Sequence, residues 1–174
     1  RRVPNGICTT YVFDVMKEGD TVTINGPYGE FCLRETDREA VREALSDGTL
    51  DAIATDHAPH SVLEKELEFD RAAFGIIGLE TSLSLGLRLV FQQLLTIEQL
   101  IEKMSINPGR ILGLKTGIVE GNAADLTLID PNLSYVYSAE NGFSKSCNTP
   151  FHGWEFTGKA VYTIAGGRVV YEIG

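Results

Sequence analysis

The chain is poor in the features that would place it in several large protein classes. Cysteine is limited to Cys8, Cys32 and Cys147. Odd in number and widely spaced, these exclude a disulfide framework and a cysteine-built zinc site, and read as reduced thiols. Basic residues are outnumbered, 15 Lys and Arg against 24 Asp and Glu, for a formal charge of −9 with no local Lys/Arg cluster. That excludes a nucleic-acid-binding stripe and leaves a small molecule or a protein as the expected partner. No apolar run approaches the ~20 residues of a spanning helix, and the opening "RRVPNGICTT" lacks the apolar core of a secretion signal. No membrane association and a cytoplasmic location are therefore expected. Histidine is also scarce, at three residues, two of which, His57 and His60, fall together. What is present is 43% hydrophobic composition over 174 residues, enough for one compact core or a piece of a larger one.

The texture changes along the chain. "TYVFD" (10–14) and "DTVTIN" (20–25) read as strands, with turn residues in "KEGD" and "NGPYG". In "TDREAVREALSDG", Val41, Ala44 and Leu45 share one face of an amphipathic helix that Gly48 ends. "LDAIAT" follows as a short, nearly unbroken apolar run, the pattern of a strand buried on both faces of a parallel sheet; helix and strand together predict an α/β unit. "SVLEKELEFDRAAFGIIG" reads mostly as a long loop, a length that signals function or disorder. "LETSLSLGLRLVFQQ" (79–93) fits a buried helix, and "TIEQLIEKMS" carries Thr96 and Gln99 in capping-box spacing. Asn107 and Pro108 fit the N-cap and first turn of a short helix. From Gly117 the pattern returns to β: "DLTLID" alternates, and "KAVYTIAGGRVVYEI" forms a hairpin about Gly166 and Gly167. The segments are 1–36, 37–116 and 117–174.

The stretch "DAIATDHAPH" (51–60) poses the chemical question. If "LDAIAT" is a barrel strand, Asp56 stands at its C-terminal end, where the loops of a (β/α)8 barrel gather catalytic groups. A carboxylate there can ligate a divalent metal with one oxygen while the other takes a proton from metal-bound water. The same residues also suit an aspartate that starts a turn lined by His57 and His60. The spacing alone leaves both readings open.

The longer pattern is more specific. "IATDHAPH", "FGIIGLET", "NPGRILGL", "ADLTLID" and "NTPFHGWEFTGKAVYTIAGGRVVYE", in that order within residues 37–174, resemble the C-terminal part of the dihydroorotases, in the zinc-dependent amidohydrolase superfamily. The resemblance implies an α/β fold, a partial (β/α)8 barrel of the amidohydrolase type with a small C-terminal β-domain. It implies interconversion of N-carbamoyl-aspartate and dihydroorotate in pyrimidine biosynthesis, with zinc as cofactor. Carried onto this sequence, Asp56 is the metal-ligating general base, His60 a hydrogen-bonding contact to the anionic substrate, and Phe74 and Gly75 backbone contacts to its ring. His57 fits a support for Asp56 and a packed histidine equally; Arg110 fits an ion pair. Phe151, Trp154 and Phe156 fit the core of the β-domain, and His152 has no assigned role. A homo-oligomer, or a partner enzyme of the pyrimidine pathway, is the expected macromolecular contact.

Two departures accompany the resemblance. No histidine precedes His57, so the His-x-His pair of the family's first barrel strand is absent, and a catalytic zinc usually takes three protein ligands. An intact barrel also needs ~250 residues, so the chain is expected to be the last part of a longer enzyme. Second, "PNGICTTYVFDVMKEGDTVTINGPYGEF" resembles the flavin-binding β-barrel of ferredoxin reductase-like oxidoreductases, with Gly6, Ile7, Cys8 and Thr9 matching a Gly-x-x-Ser/Thr turn. That implies a fusion or chimera joined near "TDRE". A remnant of a flavin-dependent reductase and a non-catalytic dihydroorotase-like assembly subunit remain as alternatives.

Overall fold

A computed structural model describes residues 23–25, 30–32, 35–68 and 71–173. Strands β1 (Thr23–Asn25) and β2 (Glu30–Cys32) pair antiparallel, with Ile24 opposite Phe31. "TYVFD" and the Gly6–Thr9 turn lie outside the described residues. Helix α1 (Glu35–Asp47) follows and runs without a break through the 36/37 boundary that the two resemblances imply. Gly48 closes it at φ +88°, a left-handed conformation that glycine adopts without strain.

The apolar run "LDAIAT" departs from expectation. It is extended, but no strand among the described residues pairs with it. A strand needs a neighbour for its N–H and C=O groups, and here the neighbour is a helix with a spare carbonyl. After α2 (Val62–Lys65), α3 (Ser82–Phe91) and α4 (Ile97–Ile101), the chain widens into a π turn over Glu102–Ile106 before α5 (Asn107–Ile111). The Asn107 N–H reaches back to the Glu102 carbonyl. The next donor in that pattern would be Pro108, which has no N–H. The carbonyl of Lys103 is thereby left over, and it accepts the Ile53 N–H at 2.9 Å. Lys103 Nζ donates to Leu50 O at 2.7 Å and Asn107 Nδ2 to Asp51 O at 2.9 Å. Asn107 is thus not an N-cap: its backbone is helical (φ −67°, ψ −46°), and its amide ties down residues 50–53.

The long loop after the histidines also contains more order than its sequence implies. α2 is a single turn started by a capping box, with Ser61 and Glu64 exchanging side-chain and backbone bonds. Four residues are too few to show a hydrophobic period, so the turn is legible only from its cap. The capping box expected at Thr96 and Gln99 does start α4.

One face of α3 is buried, through Ser84, Gly86 and Leu87. Leu87, Leu95 and Leu100 form a core joined by Leu45, Ile53, Met104 and Ile129. Beneath α3 lies an antiparallel sheet in the order β3 (Leu126–Val136), β4 (Glu155–Ala165), β5 (Arg168–Glu172). The β4–β5 turn is the two-residue Gly166–Gly167 hairpin, with φ +55° and +76°, as a type I′ turn demands. β3 does not alternate cleanly: its register slips between Leu128 and Ile129 and again between Asp130 and Ser134, around Pro131, which cannot donate to a ladder. At Gly158 the strand passes so close to Leu87 that a side chain would collide with it. The Ser84 hydroxyl donates to the Gly158 carbonyl at 2.6 Å, fixing helix to sheet. A second core gathers Phe156, Tyr137 and Ala139, flanked by Phe151 and Tyr135. Trp154 belongs at its rim rather than within it, at 42% exposure, with its ring against Phe151. No helix among the described residues is long and apolar enough to cross a membrane.

Candidate active site

Residues 50–53, held by the π turn, deliver Asp56 at the end of the extended segment. Asp56 is exposed and its backbone lies at φ +43°. A non-glycine residue in this region costs of order 1 kcal/mol or more and persists where its surroundings fix it. Gly78 supplies part of that fixing: a Cβ there would press on the Thr55 carbonyl at 3.2 Å. The Gly78 N–H donates to His57 Nδ1 at 3.1 Å. An Nδ1 that accepts puts the proton of the neutral ring on Nε2, so His57 braces the turn. The Asp56 carboxylate itself has no hydrogen bond or ion pair among the described residues.

His60 faces a second turn. Its Nε2 donates to the Phe74 carbonyl at 2.9 Å, and its Nδ1 stands 3.9 Å from Glu64 Oε2. The Glu64 carboxylate accepts the Ser61 N–H and hydroxyl, each at 2.8 Å, and those bonds hold it below the ordinary value of 4.5. With Nε2 committed, Nδ1 is the ring atom left for a ligand. Gly75 sits at φ +110°, and a Cβ there would lie 2.5 Å from that of Ala58, so only glycine lets the 74–76 turn pack on residues 58–60. Across this contact Ala58 N–H donates to Ile76 O at 2.9 Å. The Phe74 ring is 68% exposed. Neither the Phe74 nor the Gly75 N–H meets an acceptor among the described residues, which leaves two backbone donors at the rim beside His60.

Two residues that the sequence did not single out complete the assembly. Lys65, buried at the end of α2, donates to Ala73 O at 2.6 Å and Gly75 O at 2.9 Å, and burial lowers its pKa from the ordinary lysine value. Asn148, 6% exposed, reaches in from the segment before β4. Its Nδ2 donates to Ala58 O and Gly75 O at 2.9 and 3.2 Å, and its Oδ1 accepts the His60 N–H at 3.2 Å. A polar residue in "NTPFHGW" was the available signal, but its partners lie 73 to 90 positions away, beyond any local pattern.

The structure therefore brings His60, Phe74 and Gly75 together, with Asp56 on the same segment as His60 but not bonded to it. No group of three or more His, Cys, Asp or Glu among the described residues could hold a metal. His57, whose Nδ1 accepts from Gly78 and whose Nε2 then carries the proton, offers a metal no lone pair, and Asp56 and His60 lack a third ligand among the described residues, so these residues do not fit a zinc site by themselves. Cavities of about 440 and 600 Å³ lie instead along α3 and the sheet, the first lined by Glu80, Tyr135 and Tyr137 and the second by Leu100, Met104 and Ile129. They are spaces between elements, away from the rim where the polar groups converge.

The amidohydrolase family model matches residues 4–170. The chain belongs to the amidohydrolase family. Its sequence is dihydroorotase-like: it is 57% identical over 138 residues to the dihydroorotase of Desulforapulum autotrophicum, covering 79% of this chain and 32% of that protein. With the dihydroorotase of Pelobacter propionicus it is 58% identical over 142 residues, 80% of this chain and 34% of the relative. The chain thus spans about a third of the length of the curated relatives it matches. Among solved structures, the L-hydantoinase (dihydropyrimidinase) from Arthrobacter aurescens superposes with a TM-score of 0.78 at 31% identity, over 86% of this chain and 35% of that one. The amidohydrolase fold here is a partial α/β one. The family match takes in the whole of the stretch that resembles a flavin-binding barrel, and nothing in these comparisons supports a flavin-binding origin for it.

Proposed function

We propose that this chain carries the proton-handling and substrate-binding end of a dihydroorotase, a hydrolase that opens and closes the cyclic amide of dihydroorotate. The observation that carries the reading is the rim itself. Among the described residues, Asp56 presents an unpartnered carboxylate from a left-handed turn, four residues from His60, whose ring lies beside two backbone N–H groups that meet no acceptor. A carboxylate without protein partners can take the proton of a water that attacks the amide carbonyl and return it to the ring nitrogen as the C–N bond breaks. The Phe74 and Gly75 N–H groups suit the substrate's carboxylate and ring carbonyl, and His60, when protonated on both ring nitrogens, adds a further donor at Nδ1. An uncharged hydantoin or dihydropyrimidine ring would leave part of that donor set unused.

The barrel class, zinc and the complete reaction belong to a longer chain in this reading. Asp56 would give the metal one oxygen, and the other ligands would come from sequence beyond these 174 residues. The test is to graft this chain in place of the matching region of the Desulforapulum autotrophicum dihydroorotase. Turnover of dihydroorotate well above that of hydantoin is expected; preference for hydantoin would contradict the reading.

A further inference from the structure

We infer that Asn148 is the positioning residue of the site, through which the β-domain sets the distance between the His60 segment and the Phe74–Gly75 turn; this rests on the function proposed above. Residues 58–60 and 74–76 share few bonds of their own: the Ala58–Ile76 backbone bond at 2.9 Å and the His60–Phe74 bond at 2.9 Å. Asn148 inserts between them and bonds both. Nδ2 donates one hydrogen to Ala58 O and the other to Gly75 O, while Oδ1 accepts from His60 N–H. Its own carbonyl accepts the Ile77 N–H at 3.0 Å.

No other side chain of this size does the same. An aspartate would keep the acceptor for His60 but lose both donors, and an alanine would leave the His60 N–H and the Ala58 carbonyl without this partner, while Gly75 O would keep only Lys65. Lys65 holds the Phe74–Gly75 turn to α2. Asn148 bonds the backbone of both halves. It precedes Thr149, also buried, and the Phe156 core, so its position is that of the β-domain.

The test uses the 174-residue chain and needs no substrate, so its outcome is independent of whether dihydroorotate is turned over. In the unsubstituted protein the amides of His60 and Ile77 should exchange with solvent in one common opening, because Asn148 accepts both. In Asn148→Ala, His60 amide protection should fall about 10- to 100-fold, and the slowly exchanging His60 imidazole N–H resonance should be lost. The β4 amides of Thr163 and Ile164 should stay protected, which a general loss of stability would not allow. In Asn148→Asp the His60 amide should keep more protection than in the alanine variant, while its imidazole signal is still lost. Independent opening of His60 and Ile77 in the unsubstituted protein would overturn the inference even where neither variant folds. So would an unchanged His60 imidazole signal in a folded Asn148→Ala.

Discussion

At the scale of single residues, the site is held by groups chosen for what they cannot do. Gly75 cannot clash, and that allows the Phe74 turn to seat on Ala58. Gly75→Ala should therefore cost about 1–3 kcal/mol through overpacking at a left-handed φ, with amide shifts at Ala58 and His60 while β4 is undisturbed. Resonances of Ala58 unmoved by the substitution would show that the close approach is not maintained. Glu64 offers a second residue-level test. Its carboxylate is lowered by the Ser61 bonds, so it contributes stability that is present above the ordinary value of 4.5 and is lost as pH falls through the lower folded value. Ser61→Ala keeps the backbone N–H bond and removes the hydroxyl bond, so the Glu64 titration should move part of the way up toward 4.5, followed by the shift of its carboxyl carbon; no movement would mean that the Ser61 hydroxyl does not help to hold its charge. Asn148 marks what residue-level reading could not reach, because its bonds are made across the fold and leave no local signature.

At the scale of elements, legibility followed the range of the interaction that makes each one. The α4 capping box and the Gly166–Gly167 hairpin are built from neighbours in sequence, and both form as read. α1 and its closing Gly48 also follow from one amphipathic period. "LDAIAT" has the composition of a buried strand, but composition does not supply the neighbour that a strand requires. Its place is set by the carbonyl that Pro108 leaves free. Pro108→Ala would restore an N–H that competes for Lys103 O, so the Ile53 amide should exchange faster by tenfold or so. Unchanged Ile53 exchange would show that the π turn does not depend on the proline. Leu100, 1% exposed between α3 and the extended segment, carries the packing that all of these share. Leu100→Ala should cost about 2–5 kcal/mol, seen as a lower denaturation midpoint.

At the scale of the whole molecule, the acidic charge and the paucity of cysteine excluded classes without choosing among enzymes. The ordered blocks from "IATDHAPH" to the final hairpin carried the choice, and the family match and dihydroorotase relatives agree with it. In the proposed reading the candidate site is one side of a reaction centre, and among the described residues there is no three-ligand metal cluster. On its own the chain should therefore bind zinc weakly and turn over no dihydroorotate; chelator-sensitive turnover by the pure chain would contradict this. The most direct test of the proposed chemistry is Asp56→Asn in the graft with the Desulforapulum autotrophicum enzyme. The substitution keeps the shape and removes the proton acceptor, so the rate of dihydroorotate hydrolysis at neutral pH should fall about 10²- to 10⁴-fold with metal content unchanged. A fall of less than about tenfold at unchanged metal content, below the usual contribution of a general base, would return Asp56 to the role of a residue that merely starts a turn.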